Sequence, residues 1–416
     1  DLTAALYAEI HYRFPFFPFS RYYRREPEIV VDMPRRSEIS SPQPVMLLVK
    51  DAHLFPLKFN APLKITFPDR KEHSIELELP TETIEQPWWY RVFELELPAG
   101  FYTLFCEIQY QVRRKNHIRY NHNLKGLPPG PFLVRRTEHP LPRPAGFRLG
   151  DMHIHSSYTS DHVEYGAPPE AVALAAGAYG LDFAAITDHS YDMDDLHDDY
   201  LRKDPKLRKW QKFQDEVQKL NSGKRNRSAE LVPGLEATVR NSRGRNIHLL
   251  TLGQEEFIPG SGDSAEKWLH TRSEHSIPEA LDKLTDTAVA GAAHPFDRVP
   301  ALQKLLLHRG NWETGDFSPE LAGIQLTNGD IDLKREFYQY RDRWENLLKL
   351  GINPGLWAGN DSHGNFNRFR QVKLPMWSLW ENSRHTLGGQ FTGVGVPADN
   401  SIPEALKSKN TYISNG

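Results

Sequence analysis

Two regions of unlike pattern predict an α/β protein in which a β-sandwich-like N-terminal domain, residues 1–146, precedes a (βα)7 TIM-like barrel over 147–416. Three observations carry this. Residues before 146 hold β-forming runs punctuated by Pro and Gly. After 147, short apolar strands alternate with helical stretches. Metal-binding side chains then recur at the ends of those strands.

In chain order, Phe14–Arg25 gathers aromatics, prolines and arginines and reads as an arm packed on a neighbouring domain. Val45–Val49, Leu63–Phe67, Ile75–Leu79, Tyr90–Leu97 and Tyr102–Val112 read as antiparallel strands. Glu138–Gly146, with Pro140, Pro142 and Pro144, suits a stiff linker. The later strand candidates are Leu149–Ile154, Phe183–Thr187, Leu231–Val239, Ile247–Leu252, Ala288–Ala293, Gly323–Thr327 and Gly355–Gly359. Helices are expected at Pro168–Tyr179, Leu207–Leu220, Ile277–Leu284 and Leu333–Leu350, with prolines opening the first and Gly351 stopping the last. Seven such units in one chain predict chemistry gathered at the strands' C-terminal ends.

Composition narrows the function. The 51 basic and 54 acidic residues leave a formal charge of −3 without a long block of one sign, so neither nucleic acid nor a membrane surface is expected as a partner. No apolar run approaches the roughly 20 residues that span a bilayer. Asp1 is not an initiator Met, which leaves room for an upstream leader and leaves localisation open, cytoplasmic or exported. Cys106 is the only cysteine, which excludes an intrachain disulfide and thiolate metal chemistry. Any metal must be held by His, Asp and Glu.

The strand ends supply those types. The first carries Asp151-Met-His153-Ile-His155 and then Asp161; residues two apart on a strand point the same way, so His153 and His155 can grip one ion. Further ends carry Thr187-Asp188-His189, Gly234-Leu-Glu236, His248, His294-Pro295 and Asp361-Ser-His363. Each alone is weak, since a single His at a strand end is more often a hydrogen-bonded structural residue. Together, in strand order, they point to one metal site.

These motifs resemble the polymerase and histidinol phosphatase (PHP) superfamily of metal-dependent hydrolases: D-x-H-x-H-S at Asp151 to Ser156, T-D-H at Thr187 to His189 and D-S-H at Asp361 to His363, over roughly 149–410. Their wording is most similar to the branch with carbaryl-type carbamate hydrolases, and the closing Thr411–Gly416 resembles a segment that commonly continues there. The resemblance implies a distorted form of the barrel and a di- or trinuclear centre of Zn or Mn, or Fe. His153, His155, Glu236 and Asp361 would hold one ion; Glu236 would bridge to a second bound by His248 and His294; Asp161, His189 and His363 would hold a third. An amidohydrolase-type barrel also opens with His-x-His, but would want a bridging Lys and one late Asp without the paired His363.

The expected activity is hydrolysis by a metal-activated water, on a phosphoester first and on a carbamate, ester or amide second, with a metal-stabilised binding module as the non-catalytic alternative. The substrate would be a small molecule, and a homodimer is compatible with the sequence. Glu236 and Asp361 are the central catalytic candidates, and Asp188 would orient an imidazole, move a proton or bind a loop. Arg298 is the first choice for a phosphate fork, ahead of Arg240, Arg243 and Arg245, although solvated loop positions are the ordinary role of such residues. Tyr158, His162 and the Asp192–Asp199 run with His197 would overhang the same mouth, where solvated loop charge is again the ordinary reading.

Overall fold

A computed structural model describes the chain except residues 1–4, 7–23, 70–72, 160–165, 197–198, 224–227, 264–269, 330–331, 374–377, 398–399 and 416. The aromatic arm up to 23, Asp161, His162 and His197 lie outside the described residues.

The seven predicted barrel segments all form strands: β1 Phe147–His155, β2 Phe183–Ile186, β3 Glu230–Arg240, β4 Asn246–Leu252, β5 Val289–Ala292, β6 Gly323–Asn328 and β7 Gly355–Gly359. Two more follow, β8 Phe391–Gly395 and β9 Thr411–Ser414. Their arrangement corrects the (βα)7 barrel. Among the described residues, strand outnumbers helix, 38% against 18%, and the order β7-β6-β5-β4-β3-β2-β1-β8-β9 mixes parallel with antiparallel pairs. β3 and β4 form an antiparallel hairpin, β4 and β5 are also antiparallel, and β8 and β9 join antiparallel to β1. The physical reason is connection length. Only five residues separate β3 from β4, too few for a crossover helix, so the chain must turn back on itself.

The sheet curls until its edges nearly meet. The Asp361 amide donates to the His153 carbonyl at 2.8 Å, and Ser362–His363 pairs parallel with Ile154–His155. Asp151 fastens this seam: its Oδ1 accepts from the amides of His153 and Asn360, and its Oδ2 from the Asn360 side chain at 2.5 Å. Burial pushes the Asp151 carboxyl up to about 6 against those bonds.

Side-chain alternation sorts the sheet into two faces. Leu231, Leu235, Ala237, Ile247 and Leu249 point outward into a core shared with the helices α1 Pro169–Tyr179 and α2 Arg208–Ser222. Val232, Leu250, Leu252 and Trp357 fill the interior together with Met152, whose side chain and that of His153 both face inward because β1 is irregular between Asp151 and Ile154, and the short helix Ile402–Leu406 closes one end. Trp357 is fully buried because Gly291 and Gly323 leave space for its indole; a Cβ would stand 2.1 Å from Cζ3 at Gly291 and 2.2 Å from Nε1 at Gly323.

Residues 28–137 form two sheets over a shared core. One is Glu28–Asp32, Gln43–Lys50 and Trp88–Leu95; the other centres on Gly100–Val112. The first sheet is buried on both faces. Ile29, Val31, Val45, Leu47 and Val49 meet the second sheet, while Val30, Met46 and Leu48 join the core around α1. That double burial explains why Val45–Val49 reads as an unbroken apolar run.

At the same junction His122 is buried near Arg370, Arg368, Glu28 and Glu381. Its Nδ1 accepts from the Leu124 amide at 3.2 Å, and its Nε2 lies 3.9 Å from Glu381. Burial first, then Arg370 and Arg368, hold the imidazole down to about 3 despite Glu28.

Two outcomes are expected. Gly323→Ala should cost about 1–3 kcal/mol by overpacking Trp357, read as a lower denaturation midpoint at unchanged m-value. Because His122 charges in the unfolded chain below about 6.5 but in the folded chain only near 3, it removes stability as pH falls through that window. The gap between urea midpoints at pH 7 and pH 4 should therefore narrow in His122→Gln.

Candidate metal centre

The inward phase of the strands brings eight of the nine predicted donors to one mouth of the barrel; the ninth, Asp161, lies outside the described residues. His153 and His155 end β1, and Glu236 lies on β3 in the same inward phase as Val232. His189 follows β2, His294 follows β5, and Asp361 and His363 follow β7. His248 arrives differently. Since β4 runs antiparallel, its third residue, not its C-terminal end, stands level with the mouth, opposite Thr238. Gly359 lets β7 approach β1, for a Cβ there would meet His153 Cβ at 2.6 Å.

The donors fall into three overlapping groups: His153, His155, Glu236 and Asp361; Glu236, His248 and His294; and His155, His189 and His363. Glu236 lies at their centre. Its Oε2 is 3.3 Å from Nε2 of both His153 and His155 and 3.1 Å from His189 Nδ1. Its Oε1 is 2.5 Å from His248 Nδ1 and 3.0 Å from His294 Nε2. Asp361 Oδ1 lies 3.1 Å from His155 Nε2 and 3.5 Å from His153 Nε2, and those two ring nitrogens are 2.9 Å apart. Ligands bonded at near 2.0–2.1 Å to one tetrahedral or octahedral ion stand about 3.0–3.4 Å from each other, so most of these spacings are those of a coordination sphere. The donor set, nitrogen and oxygen without thiolate, fits Zn, Mn or Fe.

Electrostatics hold both carboxylates of the centre ionised. Burial pushes the Glu236 carboxyl up, but His248, His153 and His189 more than reverse this and hold it well below the usual range. Asp361 is likewise held well down, burial being outweighed by His153 and His155. Burial and the neighbouring His155 keep His363 and His189 low, toward the neutral form that binds cations, whereas Glu236 and Asp361 raise His153 and His155, and Glu236 and Asp263 raise His248, despite their burial, so these three rings must give up a proton when a cation enters. The backbone is strained at two donors, His294 at φ 26° and Asp361 at φ 49°, a cost of order 1 kcal/mol or more each that the surrounding fold must hold.

Other predicted residues take lesser places. Asp188 is spent on the loop after β1: its oxygens accept from the amide and hydroxyl of Ser156 and of Thr159 at 2.6–3.1 Å. Thr159 Oγ1 then stands 3.3 Å from His155 Nδ1, so Asp188 reaches the centre only through Thr159. Tyr158 turns away, donating to Glu216 at 2.6 Å. Arg298, exposed, lines the cleft that opens onto Glu236, His248, His294 and Asp361. Arg240 pairs with Glu279 and Ser273, Arg243 with Glu313, and Arg245 lies against His308, so these three are engaged elsewhere.

Three contributors escaped the sequence reading. Gln325, inward on β6, places Oε1 2.9 Å from His153 Nδ1. Period-two alternation from Gly323 could have found it, on the one predicted strand lacking a metal-binding residue. Asp263 and Arg309, which back His248, lie 15 and 61 residues from it, and no local pattern marks either.

The chain matches no family model and no curated protein.

Glu236→Gln should keep the fold by circular dichroism but lower the bound Zn or Mn by at least one equivalent per chain, measured by elemental analysis after dialysis, because it removes the charge that lets cations sit together. Full metal content in that variant would sink the bridging assignment.

Proposed function

We propose that the protein is a metal-dependent hydrolase, a phosphoesterase in the first place, working at a centre of two or three divalent ions. One observation carries the reading: three donor groups, linked to one another through Glu236 and His155, lie beside a cleft with the exposed Arg298 in its wall. A structural ion would need one closed set of donors; overlapping sets beside a cleft suit a reaction. The resemblance of the three motifs to PHP hydrolases supports the same class.

His153, His155, Glu236 and Asp361 would hold one ion, Glu236, His248 and His294 a second, and His155, His189 and His363 take part in a third. Such ions, when bound, bring water's pKa toward neutrality and offset charge on substrate oxygens. The chain's own residues do the rest. Gln325 fixes the His153 ring, and Thr159 with Asp188 fixes that of His155. Arg298 supplies a guanidinium for an anionic oxygen at the rim. Asp297 is held in the same wall, accepting from the Tyr340 hydroxyl at 2.8 Å and the Asn328 amide at 3.1 Å.

A carbamate or ester hydrolase on the same centre is the second reading, favoured by the apolar part of the wall at Ile247, Pro295, Val299 and Trp312. Side-by-side assays of p-nitrophenyl phosphate, bis-p-nitrophenyl phosphate and 1-naphthyl methylcarbamate in Mn or Zn separate them. A phosphoesterase should turn over the phosphates best and lose about tenfold or more in kcat/KM with Arg298→Ala, the loss of about one charge-assisted hydrogen bond. Dominant carbamate turnover indifferent to Arg298 would overturn the phosphoester assignment and keep the hydrolase.

A further inference from the structure

The position shared by Glu236, His248 and His294 is backed by two residues that belong to no donor group. His248 turns Nδ1 to Glu236 Oε1 at 2.5 Å and Nε2 to Asp263 Oδ2 at 2.6 Å. Asp263 is buried, and the same Oδ2 receives the guanidinium of Arg309, whose Nη1 also lies against His248 Nε2. Arg309 is brought there by backbone pairing. The Asn246 amide donates to the His308 carbonyl at 3.0 Å and the Gly310 amide to the Asn246 carbonyl at 2.8 Å, which pins both neighbours of Arg309 beside the first residue of β4.

In the neutral form that binds a cation, this contact leaves His248 two arrangements. A guanidinium has only donors and keeps its charge. If Nε2 accepted from Arg309, a neutral ring would carry its proton on Nδ1, facing Glu236, and could not bind a cation there. If Nε2–H donates to Asp263, the Nδ1 lone pair faces the shared position. Asp263 selects the second arrangement, and Arg309 offsets the charge that a lone buried carboxylate would add beside the ions.

We propose that Asp263 and Arg309 form a positioning pair that fixes His248 as an Nδ1 ligand, so that loading of the Glu236–His248–His294 position depends on a salt bridge whose two members are not ligands. The inference rests on the metal-centre reading and deepens it.

The test is metal binding, independent of turnover. The full chain and the variants Asp263→Asn, Asp263→Ala/Arg309→Met and His248→Ala are stripped with chelator, reloaded with Zn or Mn and titrated against a metal indicator; circular dichroism follows the fold and the Co(II)-loaded visible spectrum the ligand geometry. The double variant avoids leaving one buried charge alone. Asp263→Asn and the double variant should each bind one equivalent 10–100-fold more weakly, with the remaining equivalents unchanged, as His248→Ala does more severely. Wild-type affinity and an unaltered Co(II) spectrum in both would overturn the positioning role while the metal centre stands. So would a loss confined to Asp263→Asn, which would trace it to the uncompensated Arg309 charge. A wild-type chain that binds no metal would overturn the metal centre itself.

Discussion

A carboxylate buried as deeply as Glu236 cannot remain charged unless cationic or donor groups surround it, and the barrel interior is built to that requirement. Five imidazoles reach its two oxygens from β1, β4 and the turns after β2 and β5. They must come from several strands, because one segment cannot present so many rings to a single carboxylate. The curled sheet is the device that turns them to one point. Its inward residues switch from apolar at the closed end, where Val232, Leu250 and Trp357 pack, to polar at the mouth, where Glu236 and His248 follow in the same inward phase.

Holding that mouth together takes polar residues that serve the sheet. Asp151 bonds across the seam to Asn360, and Asn360 in turn bonds Gln390 ahead of β8. Asp188 gathers Ser156 and Thr159, which sets the loop bearing the contact to His155. Such carboxylates sit close to candidate metal donors in the sequence and look like chemistry; in the structure they anchor the backbone from which those donors project. The N-terminal sandwich contributes to the same order from outside, through Val30, Met46 and Leu48 in the core around α1.

The donors are legible in the sequence because strand periodicity and residue type are local properties. His-x-His on one strand must point one way, whereas Asp361, between two strands at φ 49°, is placed by a left-handed turn that alternation does not encode. The strands of the barrel were legible for the same reason. Their directions were not: a run such as Ile247–Leu252 carries no sign of which way it pairs, and the five-residue link before it fixes an antiparallel hairpin only once β3 and β4 are known to be neighbours. Alternating strands and helices therefore suggested a parallel barrel where the sheet is mixed, and His248 was expected at a strand's far end when it stands near its start.

The sequence by itself determined which residue types could hold a cation, that thiolate was excluded, and which segments would be extended. Tertiary structure decided the rest: sheet direction, the seam at Asp151, and the support of His248 by Asp263 and Arg309. The reason is physical. Hydrogen bonds between side chains 15 or 61 residues apart depend on where loops return after the sheet has closed, and neither propensity nor periodicity encodes that return.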